Sequence, residues 1–270
     1  MIRVVVLAPI DNSLYARLVC YQLRQERDVQ LAGIVVRSPL NINRFLSEFN
    51  RDGARLLRKV FEKGLQGDKR FTENNEENLA RLAENWALPF KSLKHLASDY
   101  NIPYRVVSDH NHRGSEEFLH QVSPDLIVFT GGGLIRKNVL LIPKLGILNC
   151  HSGILPEYRG MDVVEWTAAE GQVSNVGLGA TLHLMDQGVD TGSILKTAKI
   201  VLGNAINFEQ IRSKLEVKMV DLMLDGIRGF RDRSISPRTQ RTDDGRQYYV
   251  MHPRIKEYAK LQLLRQTKSR

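Results

Sequence analysis

The sequence predicts an α/β fold built on a mostly parallel sheet with helices on both faces. Three observations carry that prediction. The apolar runs at Ile2 to Leu7, Val29 to Val36 and Asp125 to Thr130 lack the polar alternation of a half-exposed strand, so they suit strands buried on both faces. A helix-forming segment, Tyr15 to Gln25, separates the first two and completes a β-α-β unit, whose crossover is right-handed almost without exception. At 270 residues and 42% hydrophobic content, the chain is long enough to bury one large core and carry a small appendage.

The elements follow in order. After the first strand, Ala8 to Ser13 reads as a loop in which Asp11 or Ser13 can cap the helix, whose apolar positions are Leu14, Leu18 and Leu23. From Leu40 to about Asp99 the pattern turns helix-rich and polar, with apolar positions at Phe45, Phe49, Leu56, Leu57, Val60 and Phe61. This stretch reads as a helical insertion, either a cap over the sheet edge or a lid over a substrate. Leu93 to Tyr100 closes it as a helix, and Tyr104 to Val107 is a short strand. Glu116 to Val122 is helical, and the strand after it runs into Gly131, Gly132 and Gly133, where the backbone can approach a ligand and adopt positive φ. The spacing is not that of a dinucleotide fingerprint, and no acidic ribose ligand follows at the usual offset. Ile147 to Cys150 is a buried strand ending at His151, and Thr181 to Met185 is a further strand. Phe208 to Ile227 is a long amphipathic helix, Gly245 to Met251 a short strand and Pro253 to Leu264 a terminal helix. The organisation expected is a catalytic domain over 1–227, with its insertion at about 40–99, and a C-terminal appendage over 228–270 that completes an acceptor site or a homodimer contact.

Charge and cysteine content bound the function. A formal charge of +9 attracts anions such as phosphates, polyglutamate tails or nucleic acid without choosing among them. The basic residues within 44–70 and after Gly226 show no aromatic interleaving, so a solvated surface accounts for most of them and phosphate binding for a few. Cys20 and Cys150 have no metal-ligand spacing. No apolar run approaches the roughly 18 residues of a membrane span, and the start is too short for a signal peptide, so the expected location is cytoplasmic.

Chemistry concentrates in two segments. In Gly146-Ile147-Leu148-Asn149-Cys150-His151, side chains two apart on a strand share a face, so Asn149 and His151 point the same way while Cys150 points the other. In open α/β sheets ligands bind beyond the carboxyl ends of strands, where this pair lies. The second segment, Met185-Asp186-Gln187-Gly188-Val189-Asp190-Thr191-Gly192, is an acidic, glycine-containing loop directly after a strand. Either alone reads as a packing histidine or an ordinary turn. Together, and in this order, they are specific.

With Asn149-x-His151, Leu155-Pro156, Tyr158-Arg159-Gly160 and Asp190-Thr191-Gly192, the sequence resembles the folate-dependent formyltransferases, which include the glycinamide ribonucleotide, methionyl-tRNA and sugar N-formyltransferases. The resemblance covers Asp125 to about Ile200 well and the N-terminal β-α-β unit loosely. It implies a Rossmann-like α/β fold and an N-formyltransferase of one-carbon metabolism, with 10-formyltetrahydrofolate as formyl donor and a small-molecule amine, phosphorylated or not, as acceptor. Asn149, His151 and Asp190 are the implied catalytic residues. Attack by an amine on the formyl carbon creates an oxyanion, which the Asn149 amide and a protonated His151 could meet, with Asp190 favouring the imidazolium and balancing the proton the amine loses. The pterin ring is implied to lie against Gly131, Gly132, Gly133, Leu134, Ile135 and Arg136 and against Met185, Asp186, Gly188 and Val189. His183 occupies a position often polar in the family and reads as a packing residue. Gly153 replaces a serine that many members carry. The tail after Ile227 is too short for the C-terminal barrel of the tRNA enzyme, which argues against a tRNA acceptor and leaves an amino sugar nucleotide in front. Hydrolysis of the donor, with water as acceptor, and a folate-binding module without catalysis are the alternatives.

Overall fold

The computed structural model describes residues 1–38, 77–203, 207–241 and 243–268. The strands are β1 (Ile2–Ala8), β2 (Val29–Arg37), β3 (Tyr104–Val107), β4 (Leu126–Phe129), β5 (Ile147–His151), β6 (Tyr158–Gly160), β7 (Gly179–Leu184), β8 (Ile194–Lys199) and β9 (Arg246–Tyr248). The helices are α1 (Leu14–Leu23), α2 (Leu79–Asn85), α3 (Leu93–Asp99), α4 (Arg113–Val122), α5 (Lys137–Leu140), α6 (Val163–Ala169), α7 (Phe208–Arg231) and α8 (Pro253–Lys268). Seven strands form one sheet in the order β3-β2-β1-β4-β5-β7-β8, and β6 pairs with β9 in a separate ribbon. Strands β1 to β5 are parallel, and β7 and β8 run antiparallel to their neighbours. The chain winds outward through β2 and β3, then returns to place β4 on the other side of β1. That reversal opens a crevice at the strand ends.

Continuous apolar runs in β1, β2 and β4 are explained by burial on both faces. Val4, Val6, Leu126, Val128 and Leu148 pack with α1 and α7 on one side, while Val5, Leu7, Ile127, Phe129 and Ile147 pack with α4 and α5 on the other. Gly226 lets α7 sit directly on Leu182 and Leu148, since a β-carbon there would collide with Leu182. Burying that face offsets the roughly 1 kcal/mol that glycine costs inside a helix. The two strands that carry Asn149, His151 and His183 on their other face are therefore backed by a close helix.

Ser13 caps α1, its hydroxyl accepting from the Ala16 N–H at 3.3 Å. Asp11 instead caps α3 by accepting from the Lys94 N–H, and also receives the Tyr104 hydroxyl. Of the 40–99 insertion, the described part contains α2 and α3, whose Leu79, Leu93, Leu96 and Ala97 join the core beside α1. The pattern expected at Phe45 to Phe61 lies outside the described residues.

Several elements were not legible in sequence. Strand β8 carries Lys196 and Lys199 on an exposed edge, β6 is three residues long, and α5 is a single turn. The appendage is integrated into the domain. Helix α8 lies on α6, and Asp162 joins them by accepting from the Met251 N–H at 2.9 Å and pairing with Lys256 at 2.8 Å. Part of the C-terminal positive charge is internally matched, with Arg228 and Arg231 both pairing with Glu26 and Arg241 with Asp243. No helix among the described residues is long and apolar enough to cross a membrane.

Candidate active site

The antiparallel register of β5 and β7 sets Asn149 opposite His183 and His151 opposite Thr181, all facing the α4 and α5 side of the sheet. Asn149 is also level with Phe129, the last residue of β4, so the Gly131–Gly133 turn leaves the sheet beside it. The loop after β7 then folds back over this face. Its Asp190 carboxylate reaches His151 Nδ1 at 3.2 Å and His183 Nε2 at 3.4 Å, and His183 Nε2 is 3.0 Å from the Asn149 amide. The three residues expected to act are thus brought together. His183, which reads as packing in the sequence, is the joint between Asn149 and Asp190.

Hydrogen-bond polarity constrains the group. His183 Nδ1 lies 2.8 Å from the Leu184 carbonyl, which can only accept, so Nδ1 carries a proton. With that proton on Nδ1, Nε2 faces the Asn149 NH2, which carries two N–H donors.

His151 faces two acceptors, the Tyr158 carbonyl at 2.8 Å from Nε2 and the Asp190 carboxylate at Nδ1. Only the imidazolium satisfies both. Burial opposes that charge and outweighs the pull of Asp190, so the His151 pKa lies below that of an ordinary imidazole. The charged, oxyanion-facing His151 expected from sequence meets an arrangement in which burial opposes its charge and both nitrogens already face protein acceptors. Asp190 is the ionised partner. Although burial raises its pKa, the His183 hydrogen bond, the neighbouring His151 and the Gly160 N–H at 3.0 Å together hold it below the usual carboxylate range. Cys150 points into the opposite core, and burial pushes its thiol pKa far up, which excludes it as a ready nucleophile.

The frame around these residues comes from Thr181, from β6 and β9, and from Gln240. Thr181, opposite His151, donates to the Gly153 carbonyl at 2.7 Å and accepts from the Leu155 N–H at 3.1 Å, pinning the turn after β5. Strand β6 supplies both the Tyr158 carbonyl on His151 and the Gly160 N–H on Asp190. It is held by β9, where Tyr248 stacks on Tyr158 with ring centroids 5.1 Å apart and both hydroxyls donate to Glu170. Gly160, at φ 98°, has no room for a β-carbon against the Tyr248 carbonyl. Asp190 itself has φ 55°, a left-handed conformation that short polar side chains tolerate. Gln240 braces it by donating to the carbonyls of Asp190 at 3.0 Å and Gly192 at 2.6 Å.

The segments expected to hold a pterin divide by burial. Gly131, Gly132 and Gly133 all have positive φ; an added β-carbon would make ordinary contact with Pro9 at 3.8 Å at Gly131, but would crowd His110 at Gly132 and Arg37 at Gly133. Leu134 is 68% exposed beside it, whereas Ile135 is 6% exposed and belongs to the core, so Ile135 supports the turn from behind. The Arg136 N–H donates to the Asn111 side chain, which in turn donates to the Leu134 carbonyl at 2.8 Å. Asn111, unremarked in the sequence, fixes this segment from both ends. Met185 packs against the same core, and the Asp186 carboxylate closes its loop by accepting from the Gly188 N–H and the Thr191 hydroxyl, with Val189 leading directly to Asp190.

The formyl transferase family model matches residues 3–225, a span that contains Asn149, His151, His183 and Asp190. The chain belongs to the formyl transferase family. Within that family it is similar to the methionyl-tRNA formyltransferase of Clostridium beijerinckii, 30% identical over 155 residues, which are 57% of this chain and 49% of that protein. The methionyl-tRNA formyltransferase of Syntrophus aciditrophicus is 34% identical over 137 residues, 50% of this chain and 43% of that protein. The chain thus spans about half the length of the curated relatives it matches.

The formyl transferase fold is shared with solved structures at low identity. Glycinamide ribonucleotide transformylase 1 from Symbiobacterium toebii aligns with TM-score 0.56 and 18% identity, over 89% of this chain and 95% of that one. The N-formyltransferase from Helicobacter canadensis, in complex with folinic acid and dTDP-3-aminofucose, aligns with TM-score 0.57 and 14% identity, over 98% and 81%. Two further features shape the site. A β-carbon at Gly153 would lie 2.7 Å from His151 Nε2 and 3.0 Å from the Tyr158 carbonyl, so glycine is what allows His151 to settle on Tyr158. Gln240 and β9, which frame the site, lie beyond the matched region.

Proposed function

We propose that this protein is an N-formyltransferase that moves a formyl group from 10-formyltetrahydrofolate to the amine of a small acceptor, an amino sugar nucleotide being the leading one. The observation that carries the reading is the meeting of Asn149, His151, His183 and Asp190 on one sheet face, level with the Gly131–Gly133 turn. The donor supplies the electrophilic formyl carbon. Asn149, partly buried on β5, presents an N–H to the formyl oxygen as charge develops there, a contribution of about 10²–10³ in rate for one such donor. Its NH2 has a second N–H beyond the one directed at His183 Nε2. The ionised Asp190, with His151 beside it, is the acceptor for the proton the amine must lose, directly or through water.

A second acceptor, the amine of methionyl-tRNA, is favoured by the 30% and 34% identical relatives, which do not support setting tRNA aside on tail length. Incubation with 10-formyltetrahydrofolate and amino sugar nucleotides, glycinamide ribonucleotide, methionyl-tRNA or no amine separates the readings. Formylated product, lost in Asn149→Ala by about 10²-fold or more, is expected with one acceptor. Formate release without any amine would make the protein a hydrolase, and no donor binding would remove the reading altogether.

A further inference from the structure

Arg159 is 7% exposed, and its Nε is sealed from solvent without a hydrogen-bond partner. No carboxylate among the described residues stands within ion-pair reach of it. Other buried charges are answered. Glu165 pairs with Arg212, and Arg37 donates to the Gly132 carbonyl. A guanidinium cannot shed its charge in a protein, and an unpaired buried charge is costly unless something of opposite sign meets it.

The position of Arg159 is equally pointed. It is the centre of β6, paired with Gln247 of β9, between the Tyr158 carbonyl that holds His151 and the Gly160 N–H that holds Asp190. Tyr158 turns its ring onto Tyr248 and Glu170, so by strand alternation Arg159 projects from the opposite side of the ribbon. An arginine fork matches the paired oxygens of a phosphate or a carboxylate.

We propose that Arg159 is the seat for an anionic group of a ligand bound next to the catalytic residues. On the formyl-transfer reading, on which only the identity of the ligand rests, the anion is either a phosphate of the acceptor or a glutamate carboxylate of the folate. Anion binding at Arg159 answers the buried charge in the liganded protein and leaves it exposed as a cost in the free one.

Thermal unfolding of the wild type, Arg159→Met and Arg159→Lys, alone and titrated with inorganic pyrophosphate or with folinic acid, tests this without requiring turnover. Free Arg159→Met is expected to unfold at the same temperature as wild type or higher, because it has lost an unpaired buried charge. One probe should protect the wild type, with its Kd weakened about 10- to 100-fold in Arg159→Met, as for loss of a charged hydrogen bond, and less in Arg159→Lys. Weakened pyrophosphate binding assigns the seat to a phosphate, and weakened folinic acid binding assigns it to the folate carboxylate. A lower unfolding temperature of free Arg159→Met, equal binding of both probes by wild type and variant, or binding of neither by the wild type would overturn the proposal. Because binding is read, a failed formyl-transfer assay leaves these outcomes intact.

Discussion

Replacing His183 with alanine separates a joint in the site from a side chain that merely fills space. His183 Nε2 lies 3.0 Å from the Asn149 amide and 3.4 Å from Asp190, and Nδ1 donates to the Leu184 carbonyl. His183→Ala removes all three contacts. Stranding the Leu184 carbonyl and one end of the Asn149 amide costs about 1–3 kcal/mol of stability, which for a chain of this size lowers Tm by several degrees and leaves it folded at 25 °C. The chemical consequence is larger. With the amide free to turn, its N–H is no longer aimed, and the ceiling on the loss is that of a missing oxyanion donor, about 10²–10³ in kcat. Single-turnover formyl transfer, read by mass spectrometry of the formylated acceptor, gives the chemical rate apart from product release. If His183 acts through Asn149, the double variant Asn149→Ala/His183→Ala is barely slower than Asn149→Ala alone. A His183→Ala rate within about threefold of wild type, or two losses that multiply in the double variant, would refute the coupling.

Two further outcomes follow from groups around this centre. Burial, then the charge of Arg37, lowers the His110 pKa from 6.5 to about 4. Above pH 6.5 the ring is neutral folded or unfolded. Between 6.5 and 4 only the unfolded chain takes the proton, so stability falls with pH, by about 3 kcal/mol across that window. Denaturant titrations at pH 7 and 4.5 should show this loss and its reduction in His110→Phe; an unchanged pH slope in the variant would remove His110 as the cause. Gln240→Glu sets a carboxylate against the Asp190 and Gly192 carbonyls. We expect kcat to drop about 10- to 100-fold by displacement of the Asp190 loop, with partial recovery at acidic pH as the new carboxyl regains a donor proton. A drop in Tm at unchanged kcat would show that Gln240 only stabilises the fold.

Asn149 and His151 were legible because strand alternation and a motif of fixed order put them on one face, and β1, β2, β4 and β5 were legible because doubly buried strands spell out continuous apolar runs. His183 was visible as a residue but not as a participant. Its role depends on the β5 to β7 register, which brings position 183 against 149 and cannot be read from either strand alone. Among the elements missed, β6, β8 and α5 are too short or too polar to have a period, and β6 matters through main-chain atoms that no side chain advertises. Gln240 and Asn111 act on backbone carbonyls and N–H groups distant in sequence. For His151 the sequence shows the acidic partner but not the depth of burial that opposes its charge.

The pairing of β6 with β9 has a consequence during synthesis. Asn149, His151, His183 and Asp190 all emerge from the ribosome well before Gln240 and Tyr248, so a nascent chain holds every chemical group while still lacking the strand that stands behind Tyr158 and Gly160. The frame then closes late, when the segment carrying β9 docks behind Tyr158 and Gly160.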